Sequence, residues 1–266
     1  GQTAVRRAAE IAAAGMHNLL CVGPPGTGKT MVAKRLPGIL PLMDQEEMLE
    51  VTKIYSVCGL LDSGRSLIRK RPFRSPHHTI STAALTGGGS IPKPGEITLA
   101  HRGVLFLDEF PEFSSKTIEI LRQPLEEKSV TIARTHGTYV FPANVLLVAA
   151  MNPCPCGFYP DRNRCRCSSK QIHNYLGKIS KPILERFDIS AEATPVTYQE
   201  LRVTKENENS EQIRQRVESA REIQKYRFRD KQISCNSQMG GRDLKEYCKI
   251  SAREEAFLET VYRKKQ

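Results

Sequence analysis

Residues 23 to 30 read Gly23-Pro24-Pro25-Gly26-Thr27-Gly28-Lys29-Thr30, so a glycine-rich loop runs directly into a lysine and a hydroxyl residue. That spacing can grip phosphate. The glycines let the backbone turn until successive N–H groups face inward, and the helix that follows adds the positive end of its dipole. Lys29 would reach the β- and γ-phosphate oxygens, and the Thr30 hydroxyl would ligate Mg²⁺. The run before the loop, Asn18-Leu19-Leu20-Cys21-Val22, predicts a short buried strand, the context this chemistry requires. A chance Gly/Pro turn ending in lysine is the competing reading, and it leaves the flanking strand and helix unexplained.

Further along, Val104-Leu105-Phe106-Leu107-Asp108-Glu109 predicts a strand buried on both faces that delivers two carboxylates at its C-terminal edge, where α/β sheets bind ligands. This is a Walker B pattern. Asp108 would hold Mg²⁺ through its water shell, and Glu109 would orient and deprotonate the water that attacks the γ-phosphate. Taken alone, the segment could equally be a core strand that stops at two solvated acids. A third strand, Val145 to Met151, ends at Asn152, a sensor position on the same edge. Lys181 to Asp188 carries a short helical pattern with Arg186 just ahead of another apolar strand, Phe187 to Ala191. An arginine there would serve as a finger across a subunit boundary, since its planar fork stabilises charge on transferring phosphate oxygens. The bland alternative is a surface arginine paired with Glu185 or Asp188.

Four of the eight cysteines form two C-x-C knuckles, Cys154-Pro155-Cys156 and Cys165-Arg166-Cys167, separated by eight residues. Four thiolates complete a tetrahedral shell and leave no position for water, so the set suits a structural Zn²⁺ site. An Fe–S cluster and a metal-free loop stay open, because C-x-C is less specific than C-x-x-C; disulfides do not fit a reducing cytosol. Cys21, Cys58, Cys235 and Cys248 read as buried or incidental thiols.

To position these groups the chain needs a parallel sheet with helices on both faces. The expected fold class is α/β, with a nucleotide-binding core over residues 1–194 and a helical lid or C-terminal unit over 195–266; Pro195 and Tyr198 mark the crossing. Ser210 to Phe228 predicts one long charged helix whose Ile213, Val217, Ala220 and Ile223 fall at helical spacing and are expected in the core. At 266 residues and 39% hydrophobic content the chain can bury a sizeable core. No apolar run is long enough for a membrane span, and the start reads as an amphipathic Ala-rich helix and not a secretion signal, so a cytoplasmic protein without membrane contact is expected.

The formal charge is +11, and the surplus is clustered: Arg65, Arg69, Lys70, Arg71 and Arg74 in one run, Arg162, Arg164, Arg166 and Lys170 in another. Such clusters suit a nucleic-acid backbone, each neutralised phosphate releasing counterions, although plain solvation would also account for them. Tryptophan is absent and aromatics are 6%, which argues against base stacking as the main mode. Residues 75 to 102, with His77, His78 and the Gly87-Gly88-Gly89 run, make a loop too long for a simple connection, and residues 129 to 141 alternate as a β-hairpin.

The four nucleotide-site segments together resemble an AAA+ ATPase, an αβα sandwich. The stretches Arg71 to Thr79, Gly87 to Ser90, Pro94 to Ile97, Leu99 to Phe113 and Met151 to Gly157 resemble the magnesium-chelatase-like ATPases of the ComM/YifB type, along nearly the whole chain. The resemblance implies ATP and Mg²⁺ as cofactors and a homo-oligomer, a hexameric ring. It also implies DNA as partner, in a branch-migration or helicase role in recombination or natural transformation. It makes the two insertions pore elements, with Lys93, Arg134 and His136 as contacts, while His77 and His78 would either join them or merely cap a loop. Alternatives are a chelatase motor that inserts Mg²⁺ into a tetrapyrrole, which the cysteine segment argues against, and an ATP-dependent adaptor or switch. The family also carries a Lon-like N-terminal domain, and Gly1-Gln2 matches the start of its ATPase module, so an excised module is expected. Ser251-Ala252-Arg253 mimics the family's sensor-2 arginine, but Ser251-x-x-Glu254 reads as a capping box, and the true sensor-2 segment is expected after Gln266.

Overall fold

The computed structural model describes residues 2–61, 67–195 and 208–265; Arg65 and Tyr198 lie outside the described residues. The chain passes through β1 (Leu19–Val22), β2 (Phe73–Arg74), a small hairpin of β3 (Gly87–Gly88) and β4 (Lys93–Pro94), and β5 (Val104–Leu107). A longer hairpin of β6 (Ser129–Arg134) and β7 (Gly137–Pro142) precedes β8 (Leu146–Met151) and β9 (Ile189–Glu192). Strands β1, β2, β5, β8 and β9 form one sheet in the order β2-β5-β8-β1-β9, every pairing parallel. All residues of β5 and β8 are buried. Both faces are covered, which explains why these strands read as unbroken apolar runs and not as alternation.

One face is covered by α1 (Thr3–Gly15), α2 (Lys29–Ile39) and the long helix Ser210–Arg227, whose Val217 joins Val5, Ala12, Leu36 and Phe106 in a single core. Alanines on the inner side of α1 let it lie close to the sheet. The other face is filled by Leu85, Ile97, Phe110, Ile118, Leu121 and Val130. The expected long loop at 75–102 is therefore largely structural: it holds the short helices Thr82–Thr86 and Glu96–Leu99, whose Leu85 and Ile97 are fully buried. The 129–141 hairpin forms as expected, its β7 strand largely exposed.

Two expectations need correction. In the helix Ser210–Arg227, Ile223 is 60% exposed while Gln224 is 3% exposed. The inward stripe runs through Val217 and Gln224 because the glutamine amide is satisfied there, donating to the carbonyls of Ala14 (2.9 Å) and Ala220 (3.0 Å) and accepting from the Asn236 N–H (2.9 Å). The first basic cluster is only partly available to an outside anion. Arg71 is clamped to Glu47 (2.8 Å) and to the carbonyls of Pro41 and Arg102, and Arg74 makes a bidentate pair with Glu96 (2.6 Å on both branches). Arg69 and Lys70 stay exposed. The capping box at Ser251 and Glu254 forms and starts the terminal helix Ala252–Lys265, whose Phe257, Leu258 and Tyr262 are exposed.

His101 ties α3 (Gln45–Val57) to the start of β8. Its Nδ1 accepts from the Asn144 N–H (3.0 Å), so in the neutral ring the proton sits on Nε2 and is donated to Glu50 (3.1 Å). Burial holds the His101 pKa below its usual 6.5. The unfolded chain then binds this proton more readily than the folded one, so the stabilisation is present above about pH 6.5 and is lost as pH falls toward the folded-state pKa. Urea midpoints should accordingly drop between about pH 7.5 and about pH 5.5, and His101→Gln should flatten that dependence. An equal slope in the variant would remove His101 as its source.

Candidate nucleotide site and cysteine cluster

Because the sheet is parallel, the strands end together on one side, and Gly23, Asp108, Asn152 and Ala193 follow β1, β5, β8 and β9 on that shared edge. The Gly23 N–H donates to the Met151 carbonyl (3.1 Å), stitching the loop to its neighbour strand. Gly26 and Gly28 both sit at positive φ (78° and 84°), the backbone region that favours glycine and that this turn uses twice. The Thr27 hydroxyl closes the turn on the Pro24 carbonyl (2.9 Å), and Pro25 stands exposed at its tip.

Lys29 and Thr30 open α2 and point into this edge. The Lys29 ammonium donates to the carbonyls of Gly23 (2.6 Å) and Pro24 (2.8 Å) and to Asn152 Oδ1 (3.2 Å). Burial lowers its pKa, and the nearby Asp108 carboxylate works against that. Thr30 Oγ1 donates to Asp108 Oδ2 (2.7 Å). The structure thus brings together the residues predicted for one site from three separate stretches of chain. Thr30 and Asp108 are the pair that would hold Mg²⁺, an oxygen-only donor set suited to a hard cation. Bound there, the ion would neutralise charge on the phosphates.

Glu109 projects just beyond this pair. Its backbone is left-handed (φ 51°, ψ 45°), unusual for a residue with a side chain, and its N–H is held by Asp108 Oδ1 (3.0 Å). That twist carries the exposed carboxylate away from Asp108 and onto His78, whose Nδ1 lies 3.2 Å from Glu109 Oε2. His78 in turn packs on His77 (4.1 Å between ring centroids) and edge-on against Phe113. Sequence reasoning placed this histidine in an insertion and missed its carboxylate partner, because no local spacing links residue 78 to residue 109. Gln2 was missed likewise: its amide donates to the carbonyls of Thr27 (2.8 Å) and Thr194 (2.5 Å).

Arg186 lies elsewhere. It precedes β9, which runs parallel to β1 in the register Leu19 to Ile189, so Arg186 sits at the opposite sheet edge from the phosphate loop. A four-residue strand separates them, about 13 Å at 3.3 Å per residue. There it pairs with Glu126, and not with Glu185 or Asp188, and its carbonyl accepts from the Asn18 side chain (2.9 Å).

The four predicted cysteine ligands converge, with all sulfurs within 4.8 Å of one another. Cys154 to Cys156 is 3.4 Å, Cys154 to Cys165 is 3.8 Å and Cys156 to Cys165 is 3.6 Å. A tetrahedral zinc with bonds of about 2.3 Å has sulfur–sulfur edges of roughly 3.8 Å, so the donor set fits that ion. The Phe158 N–H holds the Cys156 thiol down at about 6, whereas the sulfurs of Cys156 and Cys154 push the Cys165 thiol up and the Cys167 thiol up to about 11, so one thiolate forms readily and each further one is opposed by charge already there. Around the cluster Arg162, Arg164, Arg166 and Lys170 are exposed, Arg164 lying over Phe158 (4.0 Å) and Arg162 over Tyr159 (5.2 Å). Of the remaining cysteines, Cys21 and Cys235 are buried, and Cys248 is exposed.

A buried parallel sheet with a phosphate loop, a strand-end Asp-Glu pair and a third-strand asparagine on one edge defines an α/β P-loop ATPase of the AAA+ class. Residues 1–201 match the family described as magnesium chelatase, subunit ChlI, and residues 207–266 match its C-terminal counterpart; the chain belongs to this family. It is 45% identical to YifB of Escherichia coli over 260 residues, 97% of this chain and 50% of that protein. It is also 45% identical to the competence protein ComM of Haemophilus influenzae over 267 residues, 99% of this chain and 51% of that protein. The 67 kDa magnesium-chelatase subunit of Heliobacterium mobile is more distant, 26% identical over 254 residues, 84% of this chain and 37% of that one. The chain therefore spans about half the length of YifB and ComM. Among the described residues no helix is long and apolar enough to cross a membrane.

Lys29→Ala should weaken nucleotide binding by about 10- to 100-fold, the equivalent of a lost charge-assisted hydrogen bond. Glu109→Gln should keep that binding and slow hydrolysis on the order of 10²- to 10⁴-fold, since the amide cannot take the proton. Equilibrium binding of a fluorescent ATP analogue beside steady-state phosphate release separates the two, and unaltered turnover in Glu109→Gln would remove it from the chemistry.

Proposed function

We propose that the chain is the ATPase module of a ring-forming motor that acts on DNA, in a branch-migration or strand-separating role. The observation that carries this reading is the division of the reaction groups between two sheet edges. Lys29, Thr30, Asp108, Glu109 and Asn152 share one edge, whereas Arg186 stands about a strand length away on the other. An arginine so placed cannot reach its own phosphates, but it can reach those of an adjacent copy if subunits pack edge to edge. In that arrangement Lys29 grips the phosphates, Thr30 and Asp108 hold the Mg²⁺, Glu109 takes the proton of the attacking water, Asn152 orients, and the neighbour's arginine stabilises developing charge. Glu126 would hold Arg186 in the orientation for that reach.

DNA is supported by two features. Both insertions carry exposed cations, and they meet: Arg134 at the end of β6 donates to the Gly89 carbonyl in the β3–β4 turn (3.3 Å), with Lys93 on β4 and His136 in the β6–β7 turn also exposed. A second exposed basic set, Arg162, Arg164, Arg166 and Lys170, surrounds the cysteines, which we take as a structural zinc site that stiffens this surface. A relative is named for competence, which agrees with a DNA role. The chelatase reading rests on the more distant relative and leaves the cysteine segment without a task.

The test uses the full-length protein. Hydrolysis should rise on adding forked or junction DNA and fall steeply with salt; absence of stimulation by any DNA would contradict the DNA role. Arg186→Ala should lower hydrolysis on the order of 10³-fold at nearly unchanged nucleotide affinity. Mixing it with Glu109→Gln protein should restore part of the rate, from sites that combine an intact Glu109 with a neighbour's intact Arg186. Mixed rings without restoration would rule out the finger in trans.

A further inference from the structure

The cysteine turn rests on the phosphate loop. Gly157, directly after Cys156, has φ +86°, and a Cβ built on it would lie 2.6 Å from Pro25 Cδ, 3.3 Å from Pro25 Cγ and 3.7 Å from the Asn152 side chain. The backbone of residue 157 is therefore packed against the tip of the phosphate loop with no space for even a methyl group. The turn is closed by the Gly157 N–H on the Cys154 carbonyl (2.9 Å), and the Tyr159 N–H donates to Cys154 Sγ (3.4 Å). A second strut leaves the far knuckle. Ser168, next to Cys167, caps the helix Ser169–Leu176, and that helix carries the buried Tyr175 beside the Asn152 backbone. Asn152 in turn holds the Lys29 ammonium (3.2 Å).

Between residues 152 and 168 the chain forms neither helix nor strand, and its small apolar cluster consists of Cys154, Cys165 and Ile172 with Phe158 and Tyr159 packed around them. Such a segment has little folding energy of its own. The bonds of a four-thiolate metal would supply it, and without them the crowded sulfurs have no reason to stay within 4.8 Å. Whatever fixes the turn also fixes its contact with Pro25 and its approach to the Asn152 side chain.

We propose that the four-thiolate site is a wall of the nucleotide pocket, so that occupancy by zinc sets nucleotide affinity and not just the shape of an outlying basic surface. This rests on the reading of the cysteines as a metal site. Linkage then makes the effect reciprocal: if zinc tightens nucleotide binding by some factor, nucleotide tightens zinc binding by the same factor. We expect a factor of about ten, within the range usual for coupled sites.

The experiment measures both directions on the full-length protein. Zinc is determined by elemental analysis, Mg-ADP affinity by a fluorescent ADP analogue, and zinc affinity by competition with a colorimetric chelator. Loaded protein should carry about one zinc per chain. ADP should raise the zinc affinity about tenfold, and stripping the zinc should weaken ADP binding about tenfold, reversibly on adding zinc back. Gly157→Ala should retain zinc yet lose ADP affinity, because the new methyl is driven into Pro25, and Pro25→Ala in the same chain should recover part of the loss. Absence of any thiolate-bound metal would overturn the metal reading and this proposal with it. Zinc present but indifferent to ADP, with ADP binding unchanged by zinc or by Gly157→Ala, would leave the metal site standing and overturn the coupling. Gly157→Ala keeps its metal, so its ADP affinity decides the matter even if the metal-free chain unfolds.

Discussion

A parallel sheet covered on both faces can show its chemistry only where its strands end. In this chain β5 and β8 are wholly buried and every pairing in the sheet is parallel, so the carboxyl ends of β1, β5 and β8 are the places where the central strands can present polar side chains together. Lys29 to Asn152 and Thr30 to Asp108 are hydrogen bonds across that edge, linking α2 to two neighbouring strands. The sheet register sets these distances, and the register is in turn fixed by core residues such as Leu105, Phe106, Leu147 and Val148, which interlock with helices on either face. A shift of one residue would turn these side chains to the opposite face and pull Asp108 away from Thr30. The opposite edge is pinned by Asn18, whose side chain joins the Leu147 N–H to the Arg186 carbonyl and whose own N–H donates to Asp188. One residue thus relates the start of β1 to β8 and to the segment bearing Arg186.

Much of this was legible in the sequence because the phosphate loop, the apolar strands and the strand-end carboxylates are local patterns with a direct physical meaning. The strands preceding Gly23, Asp108 and Asn152 fall where the apolar runs placed them, and both C-x-C pairs converge. What was hidden depends on partners distant in sequence. Arg71 and Arg74 belong to an exposed-looking basic run, yet Glu47 and Glu96 neutralise them from separate elements. Periodicity chose Ile223 over Gln224 because it scores side chains by hydrophobicity, whereas the fold offers Gln224 a full set of hydrogen-bond partners. The contact of His78 with Glu109 and the pairing of Arg186 with Glu126 leave no trace in spacing at all.

The cysteine segment joins these two levels. Its ligand spacing could be read directly, but its contact with Pro25 depends on a glycine whose significance is visible only once the turn is folded against the phosphate loop. The insertion bearing His78 reaches Glu109 from the other side. The loop edge is therefore flanked by two segments, each with exposed cations nearby, that touch different members of the proposed set of reaction groups.

The central claim is that each hydrolytic site is completed by a second copy of the chain. The most direct measurement is specific ATPase activity of the full-length protein as a function of protein concentration, with the oligomeric state followed by sedimentation in the same buffer. Activity per subunit should be near zero where the protein is monomeric and should rise in step with the assembled fraction. A constant activity per subunit that persists at monomeric concentrations would contradict the claim.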